Sequence, residues 1–151
     1  MAESPRVILI AEDDLDHAEL IRECLRESAP GADVRHVYDG EAALTYLQRR
    51  GEYEEQERSP RPDLILLDLR MPKIDGLDVL KAVKSDDDLL SIPIVVLSTS
   101  DAETDIRRAF RCYANSYLVK PLNFANFSGL IEDLANYWLK RNASPDRDLG
   151  F

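Results

Sequence analysis

Four short apolar runs in this chain each stop at residues able to do chemistry, a repeat that few folds can produce. Val7-Ile8-Leu9-Ile10-Ala11 stops at Glu12-Asp13-Asp14, Leu64 to Leu67 at Asp68, Ile94 to Leu97 at Ser98, and Tyr117 to Val119 at Lys120-Pro121. An unbroken apolar run, without alternating polar positions, reads as a strand covered on both faces, as in a parallel sheet. Val34 to Val37 supplies a further short strand. Helical patterns lie between these runs. Ala18, Ile21 and Leu25 recur at helical spacing within Leu15 to Ser28, and Pro30-Gly31 ends that helix. Asp39 is placed to cap a second helix that holds Ala42, Ala43, Tyr46 and Leu47. Leu77 to Lys84 and Ala102 to Tyr113 read as the third and fourth. Phe124, Phe127, Ile131, Leu134 and Trp138 share one face of a fifth, and Phe124, Phe127 and Trp138 are expected in the core. The charged stretch from Gly51 to Pro62 predicts an exposed loop, longer than the usual connection.

Five such strand–helix units predict a single α/β domain, a doubly wound parallel sheet with right-handed crossovers. Ligands of open parallel sheets bind at the carboxyl ends of the strands, where the strand order reverses. The residues that follow the strands are therefore expected to share one pocket: Glu12, Asp13 and Asp14, then Asp68, Ser98 and Lys120. Crowded carboxylates repel one another unless one is protonated or a cation sits among them. Hard oxygen ligands with room for water favour Mg²⁺ or a similar divalent ion such as Mn²⁺ over zinc. Lys120 adds a positive charge and Ser98 a hydroxyl, which leaves Asp68 as a carboxylate nucleophile able to form an aspartyl phosphate. Asp14 reads as a helix cap or a solvated acid.

Composition narrows the choice of function. The 151 residues suit one domain with a real core, 44% hydrophobic and 32% charged. No apolar run approaches the roughly 18 residues of a spanning helix, and Met1 to Arg6 lacks the apolar segment of a signal peptide, so a cytoplasmic location without membrane contact is expected. The net charge of −10 argues against nucleic acid, whose binding needs clustered Lys and Arg. It is read first as a solvated surface, with a basic partner or a salty habitat as alternatives. Cys24 and Cys112 have no CxxC partner and no His at metal spacing, so both read as buried or half-buried structural residues.

At these positions the sequence resembles the receiver domain of two-component response regulators. The resemblance is carried by Val7 to Asp14, by Asp68-Leu-Arg-Met-Pro-Lys-Ile-Asp-Gly76 with the strand before it, by Pro93 to Ser98 and by Tyr117 to Pro121. It implies a flavodoxin-like (βα)5 fold of strand order 2-1-3-4-5 over residues 6–140, with an extension at 1–5 and a flexible tail at 141–151. It also implies that Asp68 accepts a phosphoryl group from a sensor histidine kinase, and that Glu12, Asp13, Asp68 and the backbone carbonyl of Arg70 hold Mg²⁺. Ser98 and Tyr117 would form the switch, Lys120 would contact the phosphoryl group, and the Lys120-Pro121 bond would be cis. The Arg70 side chain departs from the family's commoner small or amide side chains. It is expected to reach the phosphoryl group or a nearby acid, and Ser100 to influence the attacking water.

Leu97-Ser-Thr-Ser-Asp101, Ala114-Asn-Ser-Tyr117, Asn136-Tyr-Trp138 and the long charged loop resemble stand-alone receivers paired with phytochrome-type kinases, a group that tends to dimerise. That implies a phytochrome-type partner and a possible homodimer through the fourth helix, fifth strand and fifth helix, with Trp138 or Tyr137 at the contact. About a dozen residues follow the last helix, too few for a DNA-binding module. Output is then expected through protein contact or relay to a histidine phosphotransfer protein. Three other classes fit less well. A receiver fold without chemistry would not need the full acid, hydroxyl and amine set. A phosphatase would need a general acid and a substrate cap, and a flavin or dinucleotide site would need a Gly-rich loop after the first strand.

Overall fold

The structure is a computed structural model and describes residues 5–145. Five strands, β1 (Val7–Ala11), β2 (Asp33–Val37), β3 (Leu64–Leu67), β4 (Ile94–Ser98) and β5 (Ser116–Val119), form one parallel sheet in the order β2-β1-β3-β4-β5. The helices are α1 (Leu15–Ser28), α2 (Gly40–Leu47), α3 (Gly76–Lys84), α4 (Glu103–Arg111) and α5 (Phe124–Ala135), the last continued by a π-helical turn at Asn136–Arg141. The flavodoxin-like order expected from the sequence is thus the order found.

Strand side chains alternate between two layers. Ile8 and Ile10 of β1, with Leu64 and Leu66 of β3, join Ile21 and Leu25 of α1 and Phe127, Ile131 and Leu134 of α5. Leu9, Ile65, Leu67 and Val96 point the other way, into Leu47 of α2, Leu80 and Val83 of α3 and Ala109 of α4. Because β1, β3 and β4 are buried along their whole length, their sequences carry no polar alternation.

Caps fix the helix starts. The Asp14 carboxylate accepts the N–H groups of Asp16 and His17, and Asp39, Asp75 and Asn123 cap α2, α3 and α5 in the same manner. Asp14 is therefore a cap, as its position suggested. Helix α4 begins and ends inside the span expected from sequence. Tyr113, at φ 70°, takes the left-handed conformation that stops it.

Three expectations are corrected. Phe124 is not a core residue. It opens α5, where the first turn has not yet reached the sheet, and is 65% exposed, while Phe127 is buried and Trp138 half-buried. The stretch from Gly51 to Pro62 is not a simple exposed loop. It holds a 3-10 turn at Gly51–Tyr53, and buried Ser59 donates its hydroxyl to the carbonyls of Tyr53 and Glu55. The Tyr46 hydroxyl donates to the Pro60 carbonyl and Arg61 to that of Leu47, tying the stretch to α2. Finally, the Lys120-Pro121 bond is trans, as is every peptide bond among the described residues. Trans is the lower-energy isomer before proline by about 0.5–1 kcal/mol, and Lys120 reaches the site in that isomer. Of the expected tail, residues 146–151 lie outside the described residues, as do residues 1–4 of the expected N-terminal extension.

Candidate functional site

Main-chain ladder bonds run past the ends of the strands and set where the polar residues stand. The Glu12 N–H donates to the Val37 carbonyl at 3.1 Å, Asp68 to Ala11 at 3.0 Å and Lys120 to Ser98 at 2.7 Å. The residues after β1, β3 and β5 are thereby held by the same ladder as the strands, all on the carboxyl edge of the sheet.

Glu12, Asp13 and Asp68 meet there. One carboxylate oxygen from each lies within 4.8 Å of the others. Asp13 is exposed, Asp68 half-buried and Glu12 buried. The Lys120 ammonium enters from the β5 side. It hydrogen-bonds Glu12 Oε1 and stands 3.6 Å from Asp68 Oδ2, with its side chain 3% exposed. Ser98 is buried at the end of β4, and its Oγ accepts the Ser100 N–H at 3.1 Å.

Burial raises the Glu12 carboxyl above its ordinary range, the neighbouring Asp68 raises it further, and Lys120 opposes both. Glu12 Oε2 is buried and has no hydrogen-bond partner among the described residues. A buried acceptor left unpaired is costly. The three-carboxylate set, the unmatched oxygen and the hard donor chemistry together fit a divalent cation, and fit zinc poorly.

The expected residues Glu12, Asp13, Asp68 and Lys120 therefore come together, Ser98 adjoins them through the bond from the Lys120 N–H to its carbonyl, and Tyr117 lies on β5, the strand that leads to Lys120. The Tyr117 hydroxyl donates to the Ser100 carbonyl at 2.8 Å, which ties β5 to the β4–α4 loop. The Arg70 N–H donates to Asp68 Oδ1 at 3.3 Å, while its guanidinium turns away to Asp105 Oδ2 at 3.2 Å, one of the two fates expected for it. Gly76 makes this geometry possible: a Cβ built there would lie 2.2 Å from the Asp68 carbonyl oxygen.

Two neighbours were not singled out from sequence. His17 Nδ1 lies 3.0 Å from the Lys120 ammonium and 3.4 Å from Glu12 Oε1. It is one turn into α1, three residues from its cap Asp14, and that spacing is the only trace in the sequence. Asp105, in the first turn of α4, reads there as an ordinary acid at a helix start.

The response regulator receiver domain family matches residues 8–132. This chain belongs to that family. The receiver is 42% identical over 144 residues to a probable methanogenesis regulatory protein, FilR2, of Methanothrix harundinacea, covering 95% of this chain and 90% of that protein. It is 40% identical over 141 residues to response regulator Rcp1 of Synechocystis, covering 93% and 94%. The fold of a phosphorylated cyanobacterial phytochrome response regulator, RcpA, matches the receiver with a TM-score of 0.89 at 39% identity, over 93% of this chain and 99% of that one. Rcp1 in an Mn²⁺-bound form matches with a TM-score of 0.87 at 40% identity, over 93% and 99%. Among the described residues, no helix is long and apolar enough to cross a membrane.

Proposed function

We propose that this receiver takes a phosphoryl group onto Asp68 from the phosphohistidine of a sensor kinase and signals through the resulting change of surface. The observation that carries this reading is the convergence of Asp68, the acidic pair and Lys120 in one hollow at the carboxyl edge of the sheet. An Asp68 carboxylate oxygen forms the new bond to phosphorus while the P–N bond to the kinase imidazole breaks, and that ring nitrogen keeps the electron pair. Lys120 stands beside Asp68 to meet the added negative charge. Glu12, Asp13, Asp68 and the Arg70 backbone carbonyl are the residues to hold Mg²⁺ or Mn²⁺. When bound, the ion supplies charge neutralisation for phosphoryl oxygens. Reversal uses water: its oxygen bonds to phosphorus, the bond to Asp68 breaks, and inorganic phosphate leaves. The receiver has no other chemistry.

Ser98 and Tyr117 form the switch in this reading. Ser98 turns to hydrogen-bond the phosphoryl group and gives up the Ser100 N–H, and Tyr117 then exchanges its hydrogen bond to Ser100 for a new rotamer. The populations of two surfaces on α4, β5 and α5 shift accordingly. Exposed Phe110, Tyr113, Val119 and Tyr137 on these elements and their flanks support a homodimer contact. Tyr137, 54% exposed, suits that contact better than Trp138, which packs on the α1–α5 core. A phytochrome-type kinase as donor is supported by the likeness to RcpA, and the net charge of −10 supports protein contact or phosphorelay over nucleic acid. The cytoplasm is the compartment that fits such partners.

Acetyl phosphate with Mg²⁺ tests the core of this reading by mass spectrometry. The expected result is a gain of one phosphoryl group that is lost in Asp68→Asn. Labelling that persists in Asp68→Asn would assign the acceptor elsewhere.

A further inference from the structure

The Arg70 side chain is not used by the chemistry above, and its placement is specific. It leaves the main chain where its own N–H bonds the Asp68 carboxylate. Its guanidinium nevertheless lies on Asp105 Oδ2 at 3.2 Å, beyond the β4–α4 loop. The same Asp105 oxygen accepts the Ser100 hydroxyl at 2.6 Å. Ser100 Oγ in turn accepts the Ala102 N–H at 3.2 Å, and the Ser100 N–H bonds Ser98 Oγ. Asp105 thus joins a cation rooted beside the phosphoacceptor to the loop whose Ser100 N–H bonds the switch hydroxyl of Ser98. The Ser100 hydroxyl and then the Arg70 guanidinium hold its carboxyl below the usual carboxylate range.

The two ends of this ion pair differ in exposure. The Asp105 side chain is 15% exposed, whereas that of Arg70 is 75% exposed on a long stem. Exposed ion pairs are weak. A phosphoryl group on Asp68 brings a charge of about −1.5 to −2 and a fork of oxygens that guanidinium matches well. The stronger acceptor appears next to the root of the Arg70 side chain, and the weaker one is at its far end.

We propose that Asp105 is a positioning residue: it parks the Arg70 guanidinium at the start of α4 in the unmodified receiver and yields it to the phosphoryl oxygens once Asp68 is modified, keeping the Ser100 hydroxyl as its own partner. The exchange makes and breaks no covalent bond. It deepens the proposed function and rests on Asp68 being the acceptor. Asp105 therefore opposes engagement of the phosphoryl group, and only through Arg70.

Beryllofluoride with Mg²⁺, a phosphoryl analogue, measures this by ¹⁹F NMR titration of four proteins: wild type, Asp105→Asn, Arg70→Gln and the double variant. Asn at 105 retains an oxygen for the Ser100 hydroxyl and removes the charge. The expected result is binding about threefold tighter in Asp105→Asn, a change of the size exposed ion pairs set, and no difference when Arg70 is already Gln. A purely structural Asp105 would change binding equally in both backgrounds; that result, or no change or a loss on Asp105→Asn when Arg70 is present, overturns the proposal. Absence of any analogue binding to wild type would instead count against Asp68 as acceptor, and the inference would fall with it.

Discussion

The Lys120 ammonium rests on Glu12 Oε1, and the two side chains are 3% and 1% exposed. A buried ion pair of this kind adds little net stability, yet breaking it leaves an uncompensated charge. Lys120→Met should accordingly destabilise the receiver by about 3 kcal/mol in urea unfolding. Adding Glu12→Gln to Lys120→Met should restore most of that loss. Equal losses in the single and double variants would show that Lys120 packing matters rather than its charge.

Divalent cation should stabilise the native state, because Glu12 Oε2, without a partner among the described residues, and the Asp13 and Asp68 carboxylates exist as a cluster only when folded. Mg²⁺ at a hundredfold excess over its dissociation constant should add about 2.7 kcal/mol. EDTA should remove the gain, and Asp13→Asn should abolish it. Paired urea titrations with and without Mg²⁺ provide the check.

Two glycines are fixed by close approach. A Cβ at Gly76 would meet the Asp68 carbonyl oxygen at 2.2 Å, and one at Gly40 would meet that of Ile74 at 1.8 Å. Neither neighbour is a side chain that can swing aside. Gly76→Ala and Gly40→Ala should each cost about 3 kcal/mol. Gly76→Ala should also slow phosphorylation, because the displaced backbone is that of Asp68 itself. Circular dichroism melts and acetyl phosphate labelling would read the two effects separately.

His36 should confer a pH dependence on stability. Its Nε2 lies 2.7 Å from the Glu12 carbonyl oxygen, and burial lowers its pKa from 6.5, against the opposing effect of that bond. Above pH 6.5 the ring is neutral in both folded and unfolded chains, and the contribution is fully present. As pH falls below that value, the unfolded chain takes the proton first, and stability is lost down through the folded pKa. The difference in unfolding free energy between wild type and His36→Gln should therefore shrink as pH falls through 6.5 and below. A constant difference over that range would remove His36 as its source.

The sequence carried the fold because both faces of the sheet are covered: uninterrupted runs such as Leu64–Leu67 mark strands, and the residues just after them mark the site. Glu12, Asp68 and Lys120 could be read for the same reason, since main-chain ladder bonds fix them. His17 and Asp105 could not. Each reaches its partner from the first turn of a helix whose orientation depends on tertiary packing, and a single His or Asp at such a position looks like any surface residue. Phe124 was misplaced because helical spacing names a face without saying which of its turns meets the sheet. The stretch from Gly51 to Pro62 reads as an exposed loop because its ties run from Ser59, Tyr46 and Arg61 to main-chain carbonyls, which leave no mark in composition.

Alternate strand residues feed two separate apolar layers, one under α1 and α5 and the other under α2, α3 and α4. Between the layers lie the strand backbones, which also hold the reactive edge. A substitution under one pair of outer helices therefore repacks its own side of the sheet and leaves the opposite layer and the carboxyl edge in place.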